Sequence, residues 1–118
     1  MTDTCPGVVV IVEDDEDTRE LLREILEEAG HTVATAADGV QGLEVLRSTP
    51  CVCLVLLDLV MPRLGGLGVL AAIAEDPSLS SLPVCISTSA AEQAPPGLPC
   101  LPKPVDIDRL NALVAARC

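Results

Sequence analysis

CVCLVLLDLVMPRLGG, residues 51–66, is the stretch that decides the fold. Its apolar run breaks at one carboxylate, Asp58, and then turns through Leu59, Val60, Met61 and Pro62 into a glycine pair. The run is short and is bounded by Pro50 on one side and by Pro62 with Gly65 on the other. A buried helix would need more length and no flanking proline, so the run reads as a strand buried on both faces. Asp58 then stands at the C-terminal edge of a central strand, where open α/β sheets bind ligands. Taken alone, an aspartate there is an ordinary residue opening a surface loop. The rest of the chain changes its weight.

Upstream, Gly7 to Val12 is a short β-branched run and reads as strand one. Five acids follow without a break, Glu13 to Asp17. Helix one then runs to about Ala29, with Leu21, Leu22, Ile25, Leu26 and Ala29 on its apolar face and Gly30 as its stop. His31 to Ala37 reads as strand two. Asp38 is a candidate cap for helix two, whose face is Val40, Leu43 and Leu46. Downstream, helix three spans Gly66 to about Glu75, with Leu67, Leu70, Ala71 and Ala74 expected to face inward. Leu82 to Thr88 is strand four. Residues 89–99 hold three prolines and a glycine, which leaves room for no more than one helical turn. Cys100 to Pro102 is strand five, at a sheet edge because Pro102 cannot donate to a ladder. Asp106 caps the last helix, with Ile107, Leu110, Leu113 and Val114 as its apolar face. This alternation of strands and helices predicts a doubly wound α/β domain: a five-stranded parallel sheet, helices on both faces, right-handed crossovers. We read residues 1–118 as one such domain, with 1–6 an N-terminal arm.

Composition narrows the function. At 49% hydrophobic residues in 118, the chain can build one core. Aromatic content is 0%, so no ring can stack on a flavin or an unpaired base. A net charge of -11 repels phosphate backbones, which argues against direct nucleic-acid binding and favours divalent cations or basic protein surfaces. No stretch reads as a signal peptide or a membrane span, so a cytoplasmic protein is expected. The six cysteines are Cys5, Cys51, Cys53, Cys85, Cys100 and Cys118. Those in predicted strands act as small hydrophobes, and reduced thiols are expected over disulfides. Cys51 and Cys53 have no second Cys/His pair at zinc spacing, and His31 is the only histidine.

The predicted strand ends carry complementary chemistry. Strand one ends in Glu13 and Asp14, strand three in Asp58, strand four in Thr88, and Lys103 follows strand five. Parallel strands bring all of these to one edge. Clustered carboxylates repel unless a cation or proton intervenes, and Mg2+ suits an all-oxygen site that keeps room for a phosphate. A carboxylate can be a nucleophile toward phosphorus, with a lysine and a hydroxyl binding the new oxygens. Singly, each residue has a plain structural role: helix-dipole acids, a strand-end hydroxyl, a solvated lysine. Four together at successive strand ends point to a site.

VVVIVEDDEDTRELL, VLLDLVMPRLGG, LPVCISTSA and LPKP resemble, in order, the motifs of the receiver domain of two-component response regulators, over nearly all of residues 7–118. The resemblance implies a flavodoxin-like, CheY-like fold of strand order 2-1-3-4-5. It implies that Asp58 accepts a phosphoryl group from a sensor histidine kinase or phosphotransfer protein. It further implies that Asp14 ligates Mg2+ directly, Glu13 through water and Val60 by its backbone carbonyl, that Thr88 and Lys103 bind the phosphoryl group, and that Lys103-Pro104 is cis. The chain departs from the pattern in three places. Gly65 replaces a common acid, Cys100 replaces an aromatic residue, and the segment between Thr88 and Lys103 is short, so the fourth helix is expected to be shortened or missing. With nothing after the last helix, the expected output is a contact with a downstream protein or a phosphoryl group passed onward. The competing readings are an unphosphorylated pseudo-receiver acting as a binding scaffold, and a hydrolase with an aspartyl intermediate. The full acid, Asp, Thr and Lys set disfavours the first, and the lack of a second acid placed beside Asp58 as general acid or base disfavours the second.

Overall fold

VVVIV, Val8–Val12, is β1, and its residues alternate between two separate cores. A strand whose neighbours point to opposite faces can be this apolar only if helices cover both faces. The computed structural model describes residues 7–61, 63–89 and 94–118. Its element order is β1, α1 (Glu16–Glu28), β2 (Thr32–Ala36), α2 (Gly39–Ser48), β3 (Val52–Leu57), α3 (Gly66–Glu75), β4 (Val84–Thr88), β5 (Cys100–Pro102) and α4 (Ile107–Arg117). The five strands are parallel in the order β2-β1-β3-β4-β5, as expected, with β5 at an edge. One core lies between the sheet and α2 with α3, around Val10, Val12, Val55, Leu57, Val69 and Ile73. The other lies between the sheet and α1 with α4, around Val9, Ile11, Leu54, Leu56, Leu22, Leu26, Leu110 and Val114.

Capping sets the helix starts. Asp15 caps α1 by accepting from the Thr18 N–H, Asp38 caps α2 by accepting from the Gln41 N–H, and Asp106 caps α4 by accepting from the Asp108 and Arg109 N–H groups. Gly65 precedes α3 without a side-chain cap, the cost of having no acid there. Between β4 and β5 the described residues contain no helix. Residues 90–93 of that segment lie outside the described set, and 94–99 form turns around Gly97 at φ +87°.

Three helical faces differ from the sequence reading. In α3 the inward residues are Gly66, Val69 and Ile73, while Leu67 is 55% exposed and Ala71 and Ala74 face solvent. GLGVLAAIA is apolar all round, so its periodicity does not set a phase. Gly66 does: a Cβ there would lie 2.4 Å from the Asp58 carbonyl oxygen, so only glycine can meet the end of β3, and positions 69 and 73 follow it inward. In α1, Leu22 and Leu26 are buried, but Leu21 and Ala29 are exposed. In α4, Leu110 and Val114 are buried, but Ile107 is 49% exposed.

The cysteines also correct an expectation. Cys53 and Cys118 form a disulfide, and Cys51 is disulfide-bonded as well. Cys85 is a free buried thiol and Cys100 a free, half-buried one. Strand position misled here because Cys53 lies at the start of β3, at the sheet margin, where Cys118 at the end of α4 reaches it.

The α3 phase makes a direct prediction. Ile73→Ala should cost about 2–5 kcal/mol, and Leu67→Ala within about 0.5 kcal/mol. Urea unfolding followed by far-UV circular dichroism, which needs no aromatic residue, measures both; equal losses would show the phase to be wrong.

Candidate functional site

The strand ends are locked by backbone bonds that run one residue past each strand. The Glu13 N–H donates to the Ala36 carbonyl (3.1 Å), Asp58 N–H to Val12 (3.1 Å) and Lys103 N–H to Thr88 (3.0 Å). Glu13, Asp58 and Lys103 therefore inherit the register of the sheet. Their side chains meet: Lys103 Nζ donates to Glu13 Oε1 at 2.5 Å and to Asp58 Oδ2 at 3.2 Å. Glu13 and Asp58 are buried, and Lys103 is partly so. Asp14 is exposed at the rim, and Thr88 is fully buried at the end of β4. The Val60 N–H donates to Asp58 Oδ1 (3.3 Å), which folds the loop after β3 around the carboxylate. The Lys103-Pro104 bond is cis, as the resemblance implied.

Carboxylate oxygens of Glu13, Asp14 and Asp58 can lie within 4.8 Å of one another. An all-oxygen set of three acids, one of them at the open rim, fits a hard divalent cation of the Mg2+ type. Burial pushes the Glu13 carboxyl up to about 7, from an ordinary value of 4.5, against the opposing pull of Lys103 and of the Asp15 N–H. Burial works against the Lys103 charge, yet its bonds to Glu13 and Asp58 hold its pKa above the ordinary range. The site thus gathers more negative charge than it can bury unaided, and Lys103 balances part of it.

Two supports escaped the sequence reading. Arg19, on the first turn of α1, donates to the Glu13 carbonyl oxygen at 3.0 Å and braces the strand end. Arg63, at φ +68°, pairs with Asp38 at 3.1 Å and ties the loop after β3 to the start of α2. Neither belongs to a motif; each depends on a turn geometry that spacing does not disclose. Beside Lys103 lies an apolar groove of about 430 Å3 between α1 and the β5–α4 connection, with Leu21 and Ile107 exposed along it. Two of the residues that depart from the expected inward faces, Leu21 of α1 and Ile107 of α4, thus help to line the groove.

A doubly wound parallel sheet with acids, a lysine and a hydroxyl at its carboxyl edge is the CheY-like class of α/β protein. The chain belongs to the response regulator receiver domain family, whose model matches residues 9–115. It is 35% identical over 115 residues to the CpxR homolog of Haemophilus influenzae, a transcriptional regulatory protein, covering 92% of this chain and 48% of that one. It is 39% identical over 118 residues to the DNA-binding transcriptional regulator NtrC of Escherichia coli, covering 92% of this chain and 24% of that one. The chain therefore spans half or less of these relatives' length. Among solved structures, the chemotaxis protein CheY4 of Vibrio cholerae superposes with a TM-score of 0.82 at 22% identity, over 95% of this chain and 98% of that one. The receiver domain of the hybrid histidine kinase CckA gives 0.80 at 28%, over 94% and 98%.

Folding favours protonated Glu13, so its contribution to stability is complete below its unfolded value of 4.5 and is lost as the pH rises through about 7. Lys103→Met removes the balancing charge, so its metal-free destabilisation should be larger at about pH 8 than at about pH 5. Thermal melts at the two pH values check this, and an equal loss at both would contradict it.

Proposed function

We propose that Asp58 is the phosphoacceptor of a two-component signalling receiver, charged by a phosphohistidine of a sensor histidine kinase or a phosphotransfer protein. One observation carries this reading. A buried carboxylate at the end of the central strand lies 3.2 Å from a lysine ammonium and within a three-acid, all-oxygen cluster. Nucleophile, countercharge and cation donors converge where family membership predicts phosphoryl transfer. An Asp58 oxygen attacks phosphorus, the donor's N–P bond breaks, and its electron pair returns to the imidazole. Lys103 then follows the negative charge from the carboxylate to the phosphoryl oxygens, while Thr88 donates a hydroxyl to one of them.

Glu13, Asp14, Asp58 and the Val60 carbonyl would hold Mg2+, Glu13 through water, and the bound ion would neutralise charge between two approaching anions. The burial-raised Glu13 carboxyl must lose its proton to serve. The groove beside Lys103 supports docking of the donor by an apolar helix face, since it opens next to the reacting carboxylate. The output is a change in a downstream protein contact, without direct nucleic-acid binding by this domain. The protein is not a turnover enzyme beyond its own phosphotransfer and slow dephosphorylation. The whole of residues 1–118 is read as one receiver domain working in the cytoplasm; no helix among the described residues is long and apolar enough to cross a membrane.

Incubation with a small acyl phosphate and Mg2+ should add one phosphoryl group by intact mass, and Asp58→Asn should add none. Asp14→Ala should weaken Mg2+ binding by calorimetry far more than Asp17→Ala. Labelling of the Asn variant, or labelling in excess chelator, would overturn the assignment. Absence of labelling in the wild type would favour the pseudo-receiver scaffold.

A further inference from the structure

We propose that the Cys53–Cys118 disulfide is a reducible clasp, a second input to the domain at the sheet edge opposite Asp58. Three local features build it. The first is a bulge in β3: Val8 pairs with Val52 but Val9 pairs with Leu54, so Cys53 is the extra residue. Strict alternation would place Cys53 and Leu54 on opposite faces. The bulge instead sets both against the core shared with α1 and α4. The second is Gly7, at φ +77°, just before β1. A Cβ there would come within 3.2 Å of the Cys53 sulfur and 3.9 Å of the Cys118 Cβ, so glycine leaves the clasp its space. The third is the end of α4, where Cys118 caps the helix and its N–H donates to the Val114 carbonyl at 2.8 Å. The bond joins residues 65 apart in sequence, with Cα atoms 5.5 Å apart.

The clasp fixes an element that carries much of one surface. Arg109, Ala112 and Leu113 of α4 line one side of an apolar cavity of about 430 Å3 against Cys100 and Leu101 of β5. Arg117, one residue before the clasp, borders a second cavity with Leu98 and Pro99 of the segment before β5. No helix among the described residues lies between β4 and β5 to hold that side. The end of α4 is thus anchored by Val114, by Leu110 and by the clasp.

Cys118 is exposed and Cys53 only half-buried, so an attacking thiolate can reach the bond. A dithiol protein of the thioredoxin class is the required reductant. Its thiolate attacks the Cys118 sulfur, a mixed disulfide forms, and Cys53 leaves as a thiolate. The second thiol of the reductant then displaces Cys118 and leaves the reductant oxidised. Two electrons pass to the domain, and each freed cysteine takes up a proton as its pKa dictates. In a reducing compartment, disulfides of this exposure are regulatory more often than structural. The released α4 end frays, and the surface it shares with β5 loosens. Asp58 lies five residues along β3 from Cys53, roughly 17 Å of strand, so phosphorylation chemistry is left intact.

The test compares the oxidised full chain with the same chain treated with thioredoxin, and with a Cys53→Ser/Cys118→Ser variant that leaves Cys51 untouched. Hydrogen exchange by mass spectrometry should show peptides over 107–118 exchanging at least about tenfold faster after reduction. The double variant should exchange at the fast rate in both conditions, and phosphoryl loading by a small acyl phosphate should be the same in all three. Loading depends on Asp58 and exchange on the clasp, so failure of one reading is distinguishable from failure of the other. Non-reducing peptide maps that lack the Cys53–Cys118 link would overturn the proposal. So would a link that survives thioredoxin in the folded protein, or exchange over 107–118 that does not change on reduction.

Discussion

The contact on which the rest of the structure depends is the Lys103 ammonium held between Glu13 and Asp58. Two carboxylates buried at adjacent strand ends would repel each other at close range. The lysine that separates them comes from a distant part of the chain, 90 residues from Glu13 and 45 from Asp58. It reaches them only because β5 pairs in parallel with β4 and carries Lys103 to the same edge. The site and the sheet are therefore one assembly. Any slip of register would leave a buried charge without its partner, at a cost of about 3–5 kcal/mol.

This balance also sets what the site can accept. The carboxylates share one ammonium, and Glu13 is displaced upward in pKa by its burial. Added positive charge at the open rim relieves the imbalance. The packing beneath, with Gly66 allowed no Cβ against the Asp58 carbonyl, gives the strand end little room to yield. Change is directed toward the rim, where Asp14 and the loop after β3 lie.

Much of this was legible in the sequence, for physical reasons that differ by element. The sheet was legible because runs such as VVVIV and VCLVLL can only be strands covered on both sides. Helix starts at Asp38 and Asp106 were legible because a capping carboxylate has a fixed relation to the first turn. The residues of the site followed once the strands were parallel, since each carries its chemistry at its end. The phase of α3 was not legible, because an all-apolar helix has no preferred face until Gly66 meets the backbone of Asp58. Nor was the Cys53–Cys118 bond. It depends on a bulge that turns Cys53 toward α4, and no pattern of residue types announces a bulge. Arg19 and Arg63 escaped for the same reason, their roles being set by loop geometry.

The central claim is that one carboxylate among the clustered acids, Asp58, takes the phosphoryl group. Borohydride reduction converts an acyl phosphate into a stable alcohol at the residue that carried it. After loading with a small acyl phosphate and Mg2+, peptide mass spectrometry of the reduced protein should find homoserine at position 58 and nowhere else. Reduction product at Glu13 or Asp14, or at several acids together, would contradict the account.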